Sequence, residues 1–192
     1  MSTVTKHPKA LPFLFFSEMW ERFGYYLMIG IFLLYLKNVE HGFAMTNSEA
    51  SDLYGTFIAL VFLTPFIGGL LADRYFGYRR SIIAGGLMMG AGYCLMAVHS
   101  LAMLYLSKAR EIFGNGSFKP NISTLLGNLY STPEFEKRKD EGYNIFYMGI
   151  NIGAFICNFF SAAIIIIWGW KYAFVAAGIG MFLGVLIFIS GT

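Results

Sequence analysis

Long apolar runs separated by short polar stretches make up most of this sequence. An α-helix needs about 20 predominantly apolar residues to cross the hydrocarbon core of a bilayer. Six runs approach or exceed that length, and we number them as segments 1 to 6: residues 13 to 36, 53 to 72, 81 to 98, 101 to 130, 143 to 167 and 172 to 190. The pattern predicts an all-α membrane protein with six transmembrane helices.

The composition supports this class and leaves little chain for a soluble domain. Of 192 residues, 57% are hydrophobic, 18% aromatic and only 13% charged. The formal charge of +3 does not indicate a nucleic-acid partner, because in a membrane protein the location of Lys and Arg matters more than their sum. Cys94 and Cys157 lie in apolar runs, without the spacing of a disulfide framework or a metal site. We expect no metal and no cofactor.

The basic residues of the connections predict the orientation. One side of the membrane would hold eight of them: Lys6, Lys9, Arg74, Arg79, Arg80, Lys137, Arg138 and Lys139. The other side would hold only Lys37 and Lys171. Under the positive-inside rule, this imbalance places both termini in the cytoplasm. We therefore expect a multi-pass protein of the plasma (inner) membrane, in contact with lipid.

Three charged residues stand close together inside segment 1, where a bilayer disfavours charge. Glu18, Glu21 and Arg22 fall on one helical face. Tyr25 shares that face, and Tyr26 lies at its edge. Each charge would cost about 2.5–3.5 kcal/mol toward lipid, so this face must meet something polar. A small movement of Arg22 could switch one carboxylate between charged and neutral forms, as a proton carrier requires. The alternative is a static ion network that fixes helix packing.

Segment 4 is long and polar for a simple span, and its boundaries are the hardest to place. Four of its polar residues share one helical face at spacings of 3, 4 and 4: Lys108, Glu111, Asn115 and Lys119. We expect Lys119 to be the deepest of them and to pair with Glu18 or Glu21. Pro120 should bend the helix, because it frees a backbone carbonyl. Arg110 points away from the stripe, and we expect it to extend to the outer surface.

Segment 5 has a third polar stripe. Its members lie at spacings of 3, 4 and 7 on one helical face: Asn144, Tyr147, Asn151 and Asn158. Membrane asparagines more often bridge helices than bind a ligand. Because three segments have such stripes, however, we predict a water-accessible cavity with charges of both signs, suited to a small zwitterionic ligand.

Four sequence motifs follow one another along these segments. Residues 18 to 26 fit the pattern ExxERFxYY, and residues 68 to 80 are similar to the loop 2-3 motif of the major facilitator superfamily. Residues 118 to 121 of segment 4 read Phe-Lys-Pro-Asn, and residues 146 to 153 of segment 5 read Phe-Tyr-Met-Gly-Ile-Asn-Ile-Gly. With these motifs the chain resembles the proton-dependent oligopeptide transporters of that superfamily, over all six segments.

The resemblance implies proton-coupled symport of di- and tripeptides by alternating access, with protons as the coupling ion. Glu18 and Glu21 would be the proton-linked carboxylates, with Arg22 and Lys119 as their cationic partners. The residues that would contact the peptide are Arg22, Tyr25, Tyr26, Lys119, Tyr147 and Asn151. The loop 2-3 motif would form a conformational latch from Asp73, Arg74, Arg79 and Arg80. The alternative for that loop is a basic turn that only sets topology.

The sequence also departs from the family that it resembles. Lys108, Arg110 and Glu111 stand where members more often look apolar, and Phe62 stands where some relatives have tyrosine. Members have roughly two six-helix bundles, so residues 1 to 192 would be the amino-terminal bundle of a major facilitator fold. The missing carboxyl-terminal half would then be a partner, alongside the peptide. A truncated transporter and a natural half-transporter that dimerises are the two explanations.

Two other function classes compete with symport. A six-helix intramembrane protease could use Ser117, but its neighbour is the apolar Phe118 and no histidine lies within a span as a general base. We therefore do not expect an enzyme. A membrane peptide sensor or receptor without transport stays an alternative, as does a transporter of another small solute such as nitrate.

Overall fold

The computed structural model describes residues 6–192, which form six long α-helices without a strand. We label them α1 to α6 in chain order: Leu11–Lys37, Asn47–Leu71, Tyr78–Leu95, Leu101–Leu129, Lys139–Trp168 and Trp170–Gly191. A turn of π-helix, Ala72–Phe76, extends α2, and a short 3-10 helix, Glu136–Arg138, precedes α5. The predicted all-α class is confirmed.

The helices pack as a bundle around α1. This helix contacts α5 and α6 most extensively and α2 less, while α3 packs between α4 and α6, and α2 lies against α4. Apolar side chains on the outer helices are exposed, including Phe62 and Phe66 on α2 and Phe155 and Phe159 on α5. Such faces suit lipid or another protein surface rather than water.

By length and composition, three helical stretches within residues 6–192 qualify to cross a membrane: Asn47–Phe76, Glu136–Trp168 and Trp170–Gly191. The other three helices contain more charge or are shorter. Glu18, Glu21 and Arg22 lie in α1, and α3 has 18 residues with two arginines in its first turn. That α1, α3 and α4 also cross the bilayer stays a prediction.

The helix starts differ from the predicted ones where local hydrogen bonds extend the helix into polar sequence. Helix α2 begins at Asn47 rather than near residue 53, because Thr46 and Glu49 form a capping box. The Glu49 side chain accepts a hydrogen bond from the Thr46 N–H at 2.9 Å, and the Thr46 hydroxyl accepts one from the Glu49 N–H at 3.3 Å. This Thr-x-x-Glu signature is readable in the sequence.

The predicted connections on the basic side are shorter than expected. Arg79 and Arg80 lie in the first turn of α3 rather than in a loop, and Gly77, with φ 74°, separates that helix from the π-turn. Residues 131 to 141 are mostly exposed to solvent and partly helical, because the 3-10 helix and the start of α5 lie in this stretch. Asp140 and Glu141 occupy the first turn of α5, where the helix dipole favours acidic side chains.

Helix α4 runs without interruption through Pro120, so its predicted extent is nearly correct. Small residues allow its backbone to approach its neighbours. A Cβ atom at Gly85 of α3 would lie 2.6 Å from the Gly114 carbonyl oxygen of α4. A Cβ at Gly149 of α5 would lie 2.9 Å from the Phe15 oxygen of α1. Glycine therefore allows a close approach of the helix backbones at both contacts.

Candidate functional site

The charged face of α1 is buried in the bundle. Glu18, Glu21 and Arg22 are 2%, 0% and 4% exposed. Glycines on the neighbouring helices leave room for this face, since a Cβ at Gly153 of α5 would lie 3.2 Å from the Arg22 Cβ. On α6, a Cβ at Gly184 would lie 3.7 Å from the Glu21 backbone nitrogen. The helical spacing therefore predicted correctly that these residues share an inward face.

One guanidinium serves two carboxylates in this cluster. Arg22 Nη2 donates a hydrogen bond to Glu21 Oε1 at 2.6 Å, and Arg22 Nε donates to Glu21 Oε2. Arg22 Nε also lies 3.3 Å from Glu18 Oε1, in an i, i+4 ion pair. The Glu18 Oε2 atom is buried without a hydrogen-bond partner in residues 6–192. With both carboxyl groups ionised, the cluster has a net charge of −1.

The two tyrosines beside the cluster differ in access. Tyr25 is 8% exposed, and the Arg22 Cζ lies 5.0 Å from its ring centroid, within the range of a cation–π contact. Tyr26 is 38% exposed, and its ring centroid is 5.5 Å from that of Tyr25. The predicted positions, one on the charged face and one at its edge, agree with this arrangement.

Lys119 does not form the ion pair predicted for it with Glu18 or Glu21, and it is not the most buried charge of α4. It is only partly buried, and its ammonium lies 5.6 Å from the Phe62 ring of α2. Within residues 6–192, no ion pair of 4.0 Å or less joins Lys119 to Glu18 or Glu21. Lys119 is still near enough to both carboxylates for an electrostatic attraction.

The most buried charged residues of α4 are Lys108 and Glu111, which are 4% and 1% exposed. Lys108 Nζ donates a hydrogen bond to Glu111 Oε2 at 2.7 Å, and the Ser107 hydroxyl donates to Glu111 Oε1 at 2.9 Å. The same ammonium lies 4.1 Å from the Phe32 ring centroid and 4.7 Å from that of Phe57. The polar stripe of α4 thus ends in a second buried ionic group. Arg110 is exposed, as expected.

Tyr93 of α3 is a buried polar residue that the sequence analysis did not single out. It is 0% exposed, and its hydroxyl has no hydrogen-bond partner within the described chain. A Cβ at Gly24 of α1 would lie 3.3 Å from the Tyr93 ring. The residue before it, Gly92, packs against α4, where a Cβ would lie 2.9 Å from Glu111 Cγ. Tyr93 is therefore placed between the two ionic groups.

The polar stripe of α5 faces outward. Its four residues are all exposed: Asn144, Tyr147, Asn151 and Asn158. The residues predicted to contact a peptide are consequently divided, because Tyr26, Tyr147 and Asn151 are accessible whereas Arg22 and Tyr25 are buried. A ligand could reach the guanidinium only after a rearrangement of the cluster.

The predicted latch residues are all exposed: Asp73, Arg74, Arg79 and Arg80. Asp73 and Arg74 lie in the π-turn, on the other side of Gly77 from the two later arginines. Within the part of the chain that the structure describes, no ion pair of 4.0 Å or less joins Asp73 to an arginine. The latch contact is absent from this conformation.

Comparison with known proteins gives consistent matches. A family model described as Major Facilitator Superfamily matches residues 19–191. The chain is 36% identical over 185 residues to an uncharacterized transporter, YclF, of Bacillus subtilis (strain 168), covering 95% of this chain and 37% of the relative. It is also 36% identical over 186 residues to dipeptide and tripeptide permease A of Pectobacterium carotovorum, covering 96% of this chain and 36% of the relative.

Solved structures give the same result. A peptide transporter POT in complex with sulfate matches with a TM-score of 0.90 and 38% identity, over 96% of this chain and 38% of that one. A POT family transporter in complex with 5-aminolevulinic acid matches with a TM-score of 0.91 and 33% identity, over the same shares of the two chains. The chain thus spans well under half the length of these proteins.

Proposed function

Since the chain belongs to the major facilitator superfamily and, within it, to the POT family, we propose that the whole protein transports di- and tripeptides into the cell together with protons. The observation that carries this proposal is the buried α1 cluster, in which one guanidinium is shared by two carboxylates. The group has more negative than positive charge, so it gains by binding a proton. Transport rather than catalysis is the function that this chemistry suits.

Proton binding and peptide binding are linked through Arg22. The two nitrogens of Arg22 that form hydrogen bonds, Nε and Nη2, both donate to Glu21, and the Glu18 carboxylate lies beside Nε. A proton on Glu21 would remove the charge that holds this fork and would free Arg22 for the carboxylate of a peptide. Bidentate recognition of carboxylate is the chemistry to which arginine is best suited. Uptake of the proton would thereby prepare the site for its substrate.

The N–H and C=O groups of the peptide need hydrogen-bond acceptors and donors, respectively. Tyr26, Tyr147 and Asn151 are exposed and offer hydroxyl and amide groups. Lys119, partly buried and close to the α1 carboxylates, would add a second cation for the peptide carboxylate and for the proton-linked group. The exposed faces of α2 and α5 would border the pathway and contact a second six-helix bundle outside this chain.

The topology forms part of the same proposal. All six helices would cross the membrane, with both termini and the basic residues of the α2–α3 and α4–α5 connections in the cytoplasm. Residues 1 to 192 would then form one bundle, which moves against the other as access alternates. Asp73 would contact Arg79 or Arg80 as a latch in one of the two access states, and it would lose that contact in the other.

A second candidate is transport of a different small solute with a carboxylate or another anionic group. One matched solved structure is a POT family transporter in complex with 5-aminolevulinic acid, and another is a peptide transporter in complex with sulfate. The same Arg22 and Lys119 would bind such a group. Binding without transport, as in a sensor, is the third candidate, and it requires the same binding residues but no coupling to protons.

The test is uptake of labelled dialanine by proteoliposomes that contain the protein expressed from its complete reading frame. An inward proton gradient should drive accumulation above the outside concentration, and a protonophore should abolish it. Nitrate and 5-aminolevulinic acid, added in excess, report whether either solute competes for the site. Binding of dialanine without accumulation would contradict transport and favour the sensor. No response to dialanine, with uptake of another solute, would contradict the peptide as substrate.

A further inference from the structure

The ionic group on α4 has no role in the function proposed so far. Lys108 and Glu111 lie outside the four motifs that carry the family resemblance, and both are almost completely buried. A buried ion pair is weak evidence for a purely stabilising role, because apolar residues of similar volume often stabilise a protein equally well. Stability alone therefore does not explain why a titratable pair is buried at this position.

Lys108 has partners besides Glu111. Its ammonium contacts the faces of Phe32 and Phe57, with 4.1 Å and 4.7 Å to the ring centroids, and it lies 3.1 Å from the sulfur of Met28. Aromatic faces attract a desolvated cation. The positive charge of Lys108 consequently remains stabilised when Glu111 is neutral. A proton can bind to Glu111 without leaving a bare cation in the core.

Tyr93 lies between this group and the α1 cluster. Its hydroxyl is buried and unpartnered in the described chain, and it lies within electrostatic reach of Glu111 and also of Glu21 and Arg22. The titratable groups that act on Glu111 are Lys108 on its own helix and Tyr93 on α3. The side chains of α1 and α2 that contact the Lys108 ammonium are Met28, Phe32 and Phe57, and none of them titrates. The nearest phenol from α2 is that of Tyr54, whose ring packs against Phe32 at 6.0 Å between centroids.

The position along the helices fits entry of protons from outside. Met28, which contacts Lys108, follows Arg22 by six residues on α1, a rise of about 9 Å along the helix axis. In the proposed topology α1 runs outward from the cytoplasm. The α4 group therefore lies between the α1 cluster and the extracytoplasmic end of the bundle.

We propose that Glu111 is a second proton-binding carboxylate of this transporter, paired with Lys108 and linked to the Glu21–Arg22 pair by the hydroxyl of Tyr93. The proposal rests on the proposed function. A proton from outside adds to a carboxylate oxygen of Glu111 to give the neutral acid, and it leaves from that oxygen when the bundle rearranges. The Tyr93 hydroxyl has one hydrogen to donate, so it serves one carboxylate at a time and couples their protonation.

The first test compares the number of protons per peptide in the full-length protein and in the Lys108→Met/Glu111→Leu variant. The double substitution removes the titratable pair without leaving an unpaired charge, so folding should persist. Reversal of labelled dialanine flux against a set proton gradient gives the ratio. We expect the variant to lose one proton per peptide, which lowers the maximal accumulation about tenfold for a gradient of one pH unit. An unchanged ratio in a transporting variant would overturn the proposal.

The second test does not depend on transport. Infrared difference spectra of the purified full-length protein in lipid, recorded through a pH titration, detect the carbonyl band of a protonated carboxyl group. Glu111→Gln and the double variant should both lack one buried-carboxyl band that Glu134→Gln, a change at an exposed residue, leaves in place. Retention of every such band in both variants would refute proton binding at Glu111. If the wild type shows no proton-driven uptake, the proposed function fails, and these spectra alone decide the role of Glu111.

Discussion

The two buried ionic groups of this bundle differ in their balance of charge: with all groups ionised, the α1 cluster is negative and the α4 group is neutral. On α1, Arg22 is shared by Glu21 and Glu18, and one oxygen of Glu18 has no partner in the described chain. On α4, Glu111 faces a single cation, Lys108, that two aromatic rings and a sulfur also contact. The first group has an uncompensated carboxylate, whereas the second has a cation that does not depend on its carboxylate alone.

In the function proposed here, this difference gives each group its own way to accept a proton. In the α1 cluster a proton removes a surplus negative charge, and the guanidinium keeps the other carboxylate as a partner. In the α4 group a proton removes the only negative charge, and the aromatic rings keep the cation stabilised. Removing the cation should therefore destabilise the protein much more on α1 than on α4.

Removal of Arg22 should have the largest effect on stability. Arg22→Met would leave two buried carboxylates without their cation, and breaking a buried ionic group in this way typically costs about 3–5 kcal/mol. Thermal unfolding of the purified protein in detergent measures the loss. Arg110→Met, at an exposed arginine of α4, is the matched control and should unfold like the wild type. Equal melting temperatures for the two variants would contradict the central place of Arg22.

Removal of Lys108 should have a smaller effect, because only one carboxylate loses its partner. Lys108→Met should cost about 2–3 kcal/mol, since Glu111 keeps the hydrogen bond from Ser107 and can become neutral. Adding Glu111→Leu should restore most of that loss, because no charge is then buried alone. The same unfolding measurement on both variants decides this. A double variant as unstable as the single one would show that the pair contributes in another way.

The aromatic faces around Lys108 can be tested separately. Phe57→Leu should lower the free energy of unfolding by about 0.5–2 kcal/mol more than Phe146→Leu, because only Phe57 contacts a cation. Both phenylalanines are buried, at 2% and 1% exposure, so the control measures the loss of packing. Chemical or thermal unfolding of the two variants gives the difference. Equal losses of unfolding free energy in the two variants would contradict a stabilising cation–π contact between Lys108 and Phe57.

The smallest effect is expected at the serine beside Glu111. Ser107→Ala removes one hydrogen bond to a buried carboxylate and should cost about 1 kcal/mol. Ser17→Ala is a suitable control, since Ser17 is equally buried but its hydroxyl donates to the Phe13 carbonyl of its own helix at 2.7 Å. A larger loss for the control would indicate that Ser107 contributes little to holding Glu111.

Much of the α1 cluster could be predicted from the sequence because it is local. The spacing of Glu18, Glu21 and Arg22 along one helix determines which side chains share a face, and their charges require that this face be turned away from lipid. The start of α2 was also readable, because Thr46 and Glu49 form a capping box across one helical turn. The apolar run alone predicts a later start, near residue 53, because residues 47 to 52 are mostly polar.

The α4 group could not be predicted to the same extent, because its partners come from three helices. The i, i+3 spacing of Lys108 and Glu111 permits an ion pair, but it does not reveal that Phe32 of α1 and Phe57 of α2 contact the ammonium. The mistake about Lys119 has the same origin. The Lys119 side chain lies over Phe62 rather than against the α1 carboxylates, and this position depends on how α2 packs against α4.

The most direct test of proton coupling at the α1 cluster compares the full-length wild type with Glu21→Gln in proteoliposomes. Labelled dialanine is measured under an inward proton gradient and, separately, in counterflow exchange without a gradient. The wild type should accumulate the peptide, while Glu21→Gln should exchange it but fail to concentrate it, because the carboxylate that accepts the proton is gone. Concentrative uptake by Glu21→Gln equal to that of the wild type would contradict the proposed coupling.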